Sequence, residues 1–235
     1  MIFYPTISSR IIACVRTLSL LACLSISLTG ANLLHHWAFD EASGSSVADS
    51  VGSANILIDG SSTGWTNGKY GGAFTFDGSN YARTPTNDSV TNPSASVAIA
   101  GWFKTSNNIA AVSTLFQIEN KYGMQISSGG KLQLSFDRIG SVGGAPQWGD
   151  PIDDGLWHHF VAQNNGTTTE LYIDGVSVGS RAETLSSLAN QSRASVIGAR
   201  LNNSLSFEGT FDDIRYYDAV LTQSEISALS QISNV

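Results

Sequence analysis

The sequence predicts an all-β fold: an antiparallel two-sheet sandwich of the jelly-roll kind, with one short C-terminal helix. Three observations carry this. Short apolar or alternating segments of five to nine residues recur along the chain, Gly, Asn, Asp and Ser separate them, and no helical periodicity falls between them. Helices between strands would mark parallel βαβ units, so their lack points to antiparallel pairing.

The chain opens on a segment unlike the rest. Residues 1–31 carry Arg10 and Arg16 and no acid, then the apolar run TLSLLACLSISL, then small residues up to Ala31. That order is expected of a secretory signal peptide, with a mature chain over residues 32–235 as one domain. The run falls short of the roughly 20 residues a bilayer core needs, so no membrane span is expected in the mature chain. Export to an extracellular or periplasmic space follows. Cys14 and Cys23 both lie in the leader, which leaves the mature chain without a disulfide, a catalytic thiol or a cysteine metal site. Loss of Arg10 and Arg16 takes the formal charge from −7 to −9. With no basic run to neutralise phosphates, nucleic acid is not an expected partner.

Ten strands follow in order. They are LLHHWAF (33–39), GAFTFDG (72–78), SVAIAGWF (96–103), STLFQI (113–118), YGMQIS (122–127), KLQLSF (131–136), WHHFVAQ (157–163), TELYIDG (169–175), ASVIGA (194–199) and GTFDDIRYY (209–217). Hairpin chemistry joins several of them: SSGG after MQI, NNG after FVAQ, and Asp174–Gly175. The single helix is LTQSEISALSQ (221–231). Thr222 stands three residues before Glu225 as a capping box, and Leu221, Ile226 and Leu229 share a face. So short a helix has to dock on the sandwich to be stable.

The pair His158–His159 invites a metal or catalytic reading. Successive side chains of a strand point to opposite faces, so these two imidazoles cannot converge on one ion. Both are expected to be structural, and His35–His36 falls under the same geometry.

DGLWHHFVA, a polar turn and LYIDGVSVG together resemble the central hairpin of LamG-like jelly-roll domains, relatives of laminin G modules in the concanavalin A-like lectin/glucanase superfamily. HHWAFDEASGSSVADSVG, GKYGGAFTFDGSNY, SVAIAGWFKT and IGARLNNSLSFEGTFDDIRYYDAVLTQSEISAL continue the pattern in order, over roughly residues 34–230. The resemblance implies that Trp157 buries its ring between the sheets, and that Gly71 and Gly72 bend the chain before Phe74 and Phe76. Trp37 and Trp102 are also expected in the core. It further implies a non-catalytic module that binds a polysaccharide or glycoconjugate. The alternative is an adhesion module for a cell-surface or matrix protein; less expected is a glycoside hydrolase or polysaccharide lyase.

The residues agree with a non-catalytic reading. None of the six glutamates begins the E-x-D-x-x-E array of glycosidases of this superfamily, and no G-x-S-x-G stretch joins a strand to a helix. For stacking on sugar rings the expected residue is Trp148, in the polar stretch GGAPQWGDPIDD, followed by Trp65 and Tyr81. The resemblance also implies a structural Ca²⁺ where the first and last strands meet, which would draw together Asp40, Asp49, Asp212 and Asp213. As strand neighbours, Asp212 and Asp213 point apart unless a bulge intervenes. Sequons stand at Asn87, Asn165, Asn190 and Asn202.

Overall fold

The structure, a computed structural model, describes residues 30–84, 96–106, 111–118, 122–136, 146–185, 194–200 and 204–231. The leader other than Gly30 and Ala31 lies outside the described residues, as do Asn87, Asn190 and Asn202. Among the described residues there are two antiparallel sheets and one helix, the sandwich that the pattern of short strands predicts.

Strands are numbered in chain order. Sheet A runs β14 (Val176–Ala182), β13 (Thr168–Ile173), β12 (Trp157–Asn164), β7 (Val97–Lys104), β16 (Glu208–Tyr217), β5 (Gly72–Asp77) and β4 (Trp65–Asn67). β1 (Leu33–Trp37) pairs with the far half of β16, beyond the part that pairs with β5. Sheet B runs β11 (Gln147–Trp148), β10 (Leu132–Ser135), β9 (Tyr122–Ile126), β8 (Ser113–Ile118), β15 (Ser195–Ile197), β6 (Tyr81–Arg83), β3 (Ile56–Asp59) and β2 (Ser46–Val47). All ten expected strands are present. β14 is the return strand of the hairpin expected at Asp174–Gly175; those that sequence reading missed, β2, β3, β4, β6 and β11, are of two to four residues, too short to display a period.

The core lies between the sheets. Sheet A contributes Trp37, Phe74, Phe76, Ile99, Phe103, Phe160, Ala162, Phe211, Ile214 and Tyr216; sheet B contributes Ile56, Ile58, Phe116, Ile118, Tyr122, Met124, Ile126 and Leu134. One polar contact crosses this layer: the hydroxyls of Tyr122 and Tyr216 hydrogen-bond at 3.0 Å, both rings fully buried. A small apolar cavity of about 30 Å³ between the sheets has room for one water molecule and no larger ligand.

The helix α1 (Gln223–Ser230) covers the outer face of sheet A, where Leu221 and Ile226 pack on Ala98, Ala100 and Val161. Its capping box is present, with the Glu225 amide bonded to the Thr222 hydroxyl and the Glu225 carboxylate accepting from the Thr222 amide. No helix among the described residues is long and apolar enough to cross a membrane.

Two tryptophans depart from expectation. Trp157 pairs across from Lys104 on the outer face of sheet A, half-buried, with the Lys104 ammonium 5.1 Å from its ring centre. The place between the sheets expected for Trp157 goes to Phe160 and Ala162, on the opposite parity of β12. Trp102 is buried as expected, but on that same outer face, under Lys69 and Tyr70. Burial in a sheet therefore does not mean burial between sheets. Trp37 lies in the core as expected.

The tyrosine pair can be tested directly. Tyr216→Phe leaves the Tyr122 hydroxyl buried without its partner, at an expected cost of about 1–3 kcal/mol. In a double-mutant cycle with Tyr122→Phe, measured by denaturant unfolding, the double variant is expected to lose less than the sum of the two single losses. Additive losses would mean that the hydroxyls do not couple.

Candidate functional site

A cleft of about 240 Å³ opens where the edges of the two sheets meet. Sheet B supplies Leu132 of β10 and Trp148 of β11; sheet A supplies His158, Ile173 and Val178 of β12, β13 and β14. The segment Gly149–Ile152 closes one side, and Asp174 the other. The result is an apolar floor of an indole and aliphatic side chains, with Asp150, Asp174 and His158 as its polar groups.

Each wall has a local cause. Trp148 pairs with Leu132, which turns its ring inward, and the ring is only 9% exposed. It lies against Gly179 of β14, where a Cβ would stand 2.6 Å from the indole carbons. Only a residue without a side chain lets the two edges close this far. The Ile152 amide donates to the Gly130 carbonyl, which pins the 149–154 segment to the β9–β10 turn. On the other side, Asp174 and Gly175 both adopt positive φ, 50° and 82°, as a two-residue type I′ hairpin turn requires. Helix α1 holds this turn from outside, through a 2.8 Å bond from the Gln223 side-chain amide to the Gly175 carbonyl.

His158 sits between two carboxylates, Nδ1 at 2.8 Å from Asp174 and Nε2 at 3.1 Å from Asp154. The Asp174 bond raises its pKa above the ordinary imidazole value; burial works against this, and Asp154 adds to it. For Asp174 burial would raise the pKa, but His158 and the His159 amide outweigh it and hold the carboxyl below the ordinary range. His159 points the other way. It is buried against Trp102, 5.1 Å between ring centres, and burial lowers its pKa to about 4, so the ring is neutral at physiological pH. The two imidazoles do point to opposite faces. His158, expected to be purely structural, lines the cleft.

The three expected sugar contacts fall in three places. Trp148 lies in a strand and is largely buried, not exposed in a loop; it reaches the cleft as part of its floor. Trp65 is half-buried at the far edge of sheet A, its ring against Phe74 and its indole N–H donating to the Gly44 carbonyl. Tyr81 lies on β6, opposite Asp59 in sheet B. Sequence reading missed Asp150, Ile173, Asp174 and Val178 as cleft residues. Asp174 was legible only as a turn residue, and nothing local in the sequence marks the others.

The four aspartates expected to hold calcium do lie where the first and last strands meet, and each accepts at least one hydrogen bond from the protein. Both oxygens of Asp49 are bonded, one to His35 Nδ1 at 2.6 Å and the Ala54 amide, the other to the amides of His36, Val51 and Gly52. Burial opposes ionisation of Asp49, yet these bonds hold its carboxyl well below the usual range. Asp213 binds His36 Nε2 at 2.5 Å and Arg215 at 3.0 Å. Asp40 accepts from the Gly72 amide, and Asp212 from the Tyr70 amide. Among the described residues no group of three or more His, Cys, Asp or Glu could hold a metal ion. In this arrangement the aspartates bond to imidazoles, a guanidinium and backbone amides.

Asp212 differs from the others. It is fully buried on the outer face of sheet A, and one of its oxygens has no hydrogen-bond partner. Burial raises its pKa to about 7, the charges of Asp213 and Asp40 add to this, and the Tyr70 and Lys69 amides partly offset it.

A family model of the concanavalin A-like lectin/glucanases superfamily, laminin G type, matches residues 76–227. The chain belongs to this superfamily. No curated protein matches it. Among solved structures it is similar to domain 4 of AbnA, a GH43 extracellular arabinanase from Geobacillus stearothermophilus, in complex with arabinotriose. Identity is 21%, the TM-score 0.69, and the match covers 86% of this chain and 100% of that one. It is also similar to Trypanosoma rangeli sialidase, at 15% identity and TM-score 0.66, over 84% of this chain and 32% of the sialidase. The binding domain of Paraclostridial Mosquitocidal Protein 1 matches at 18% identity and TM-score 0.64, over 85% of this chain and 52% of that one. At such identities the likeness shows the fold.

Two outcomes are expected. Gly179→Ala pushes a methyl into the Trp148 indole and should cost about 1–3 kcal/mol, with a red shift in tryptophan emission as the ring is displaced toward water. Asp212→Asn keeps an acceptor for the Tyr70 amide and removes the charge. With a folded pKa near 7 against an unfolded value of 3.8, the native chain holds a proton there that the unfolded chain releases. Wild-type stability therefore falls as pH rises from about 4 to 7, and the penalty is complete above 7. The asparagine variant should gain on the wild type by about 4 kcal/mol at pH 8, with the difference fading toward pH 4, as measured by denaturant unfolding across that range. A difference independent of pH would remove the charge from the account.

Proposed function

We propose that the chain is an exported, non-catalytic carbohydrate-binding module whose glycan enters the cleft between β10–β11 and β12–β14. The observation that carries this is the cleft itself: an indole and aliphatic floor for the apolar face of a sugar ring, beside carboxylates that accept from its hydroxyls. That combination of a hydrophobic lining and few polar groups is what small-ligand sites use. The arabinotriose held by domain 4 of the arabinanase, on the same fold, supports the reading.

The carboxylates support binding over hydrolysis. Glycoside hydrolysis needs one carboxyl with a raised pKa to protonate the leaving oxygen. In the cleft Asp174 is held below the ordinary range, so it stays ionised and has no proton to give. Among the described residues the carboxyl whose pKa is raised, Asp212, is buried on the outer face of sheet A, away from the cleft.

Titration calorimetry of the purified protein with arabinotriose and a panel of neutral oligosaccharides tests the reading. Asp150→Ala should weaken binding about 5- to 20-fold, the equivalent of one or two hydrogen bonds. Val178→Trp, which fills the cleft, should abolish binding while the melting temperature changes little. Wild-type affinity in both variants would move the ligand elsewhere, and released reducing sugar on incubation with polysaccharides would show an enzyme.

A further inference from the structure

We infer that the cleft discriminates by charge: it takes a neutral sugar, about one ring at a time, and rejects acidic ones such as uronic, sialic or sulfated sugars. This rests on reading the cleft as the glycan site.

The charged groups at the cleft are nearly all of one sign. Asp150 and Asp174 line it, and Asp154 stands behind His158, bonded to its Nε2. Among the described residues neither Lys nor Arg lines it. The one group there able to carry positive charge is His158, and both of its ring nitrogens already face carboxylates, those of Asp174 and Asp154. Among the described lining residues an incoming carboxylate or sulfate would find no free cation to pair with and would stand beside like charges in a partly desolvated recess, where repulsion is least screened. The net charge of the chain, −7, opposes its approach as well.

A neutral ring meets the reverse situation. Its hydroxyls are donors, and ionised carboxylates are the strongest acceptors a side chain offers. Its apolar face can lie on the Trp148, Ile173 and Val178 side of the recess. The volume, about 240 Å³, is below the roughly 300–1,000 Å³ of sites that enclose drug-sized ligands. It therefore holds a single ring, such as a chain end or a branch, and not a run of several sugars.

The experiment titrates the purified protein with two panels of oligosaccharides of equal length. One is neutral (arabinan, galactan, xylan and glucan oligomers); the other is acidic (galacturonate, mannuronate, sialylated and sulfated oligomers). At low salt the tightest neutral ligand is expected to bind at least tenfold more strongly than the tightest acidic one. The gap should narrow at high salt, as screening weakens the repulsion. Asp150→Asn should shrink the ratio by improving acidic ligands while weakening neutral ones. Lengthening the tightest neutral ligand beyond two sugars should change its affinity by less than threefold. An acidic ligand that binds as tightly as the best neutral one overturns the inference while leaving the glycan site in place. So does a steady gain in affinity with chain length. If neither panel binds, the glycan reading fails and takes this inference with it.

Discussion

The structure depends on the position and phase of β16. This strand of ten residues is, among the described residues, the one in sheet A with three partners: β7 along one side, β5 and β1 end to end along the other. A strict alternation along β16 from Phe211, which faces the core, would send Arg215 inward as well and leave Ile214 and Tyr216 outside. The register instead shifts between Asp212 and Arg215, and Asp213 takes a φ of 55°. One extra residue reverses the phase. Ile214 and Tyr216 then enter the core, and Arg215 stays with Ala100 on the outer face.

The bulge also assigns the two acids. Asp212 is sent outward beneath the Lys69–Tyr70 turn, while Asp213 is turned toward His36 on β1. Closure of the chain ends is thus polar at its rim and apolar inside. His35 stacks on Trp37, with 5.7 Å between ring centres, and ties down the 49–54 loop through Asp49; His36 ties β1 to β16 through Asp213. Such bonds between buried or half-buried partners gain strength from low local dielectric, and each carboxylate would be costly to bury without them. They join the first strand to the last and to the 49–54 loop.

At the other end of the sandwich the sheets are joined by packing. Trp148 of sheet B rests on the bare backbone of Gly179 in sheet A, and the hairpin turn at Asp174 is held by His158 from within and by helix α1 from without. A cleft whose walls are fixed on both sides needs little rearrangement to receive a ligand, which lowers the entropic cost of binding. The helix therefore acts on the cleft indirectly: it braces the turn that presents Asp174.

By itself the sequence determined the fold class, ten of the strands, the Asp174–Gly175 turn and the capped helix, because each is written in local periodicity or in residues with one strong backbone preference. The opposed faces of His158 and His159 followed from the pleat alone. Tertiary structure decided which face of a sheet is inner. Trp157 and Phe160 are both apolar and lie on opposite parities of one strand, and only the position of sheet B tells them apart. It also decided the site. Trp148 looked like a loop residue because two residues of strand carry no period, and Val178, Ile173 and Asp150 meet it only because the edges of two sheets come together. The aspartates of the first and last strands were expected near one another, and topology brings them there. Proximity follows from topology, but what a carboxylate binds depends on which donors reach it first, and here those are histidines, an arginine and backbone amides.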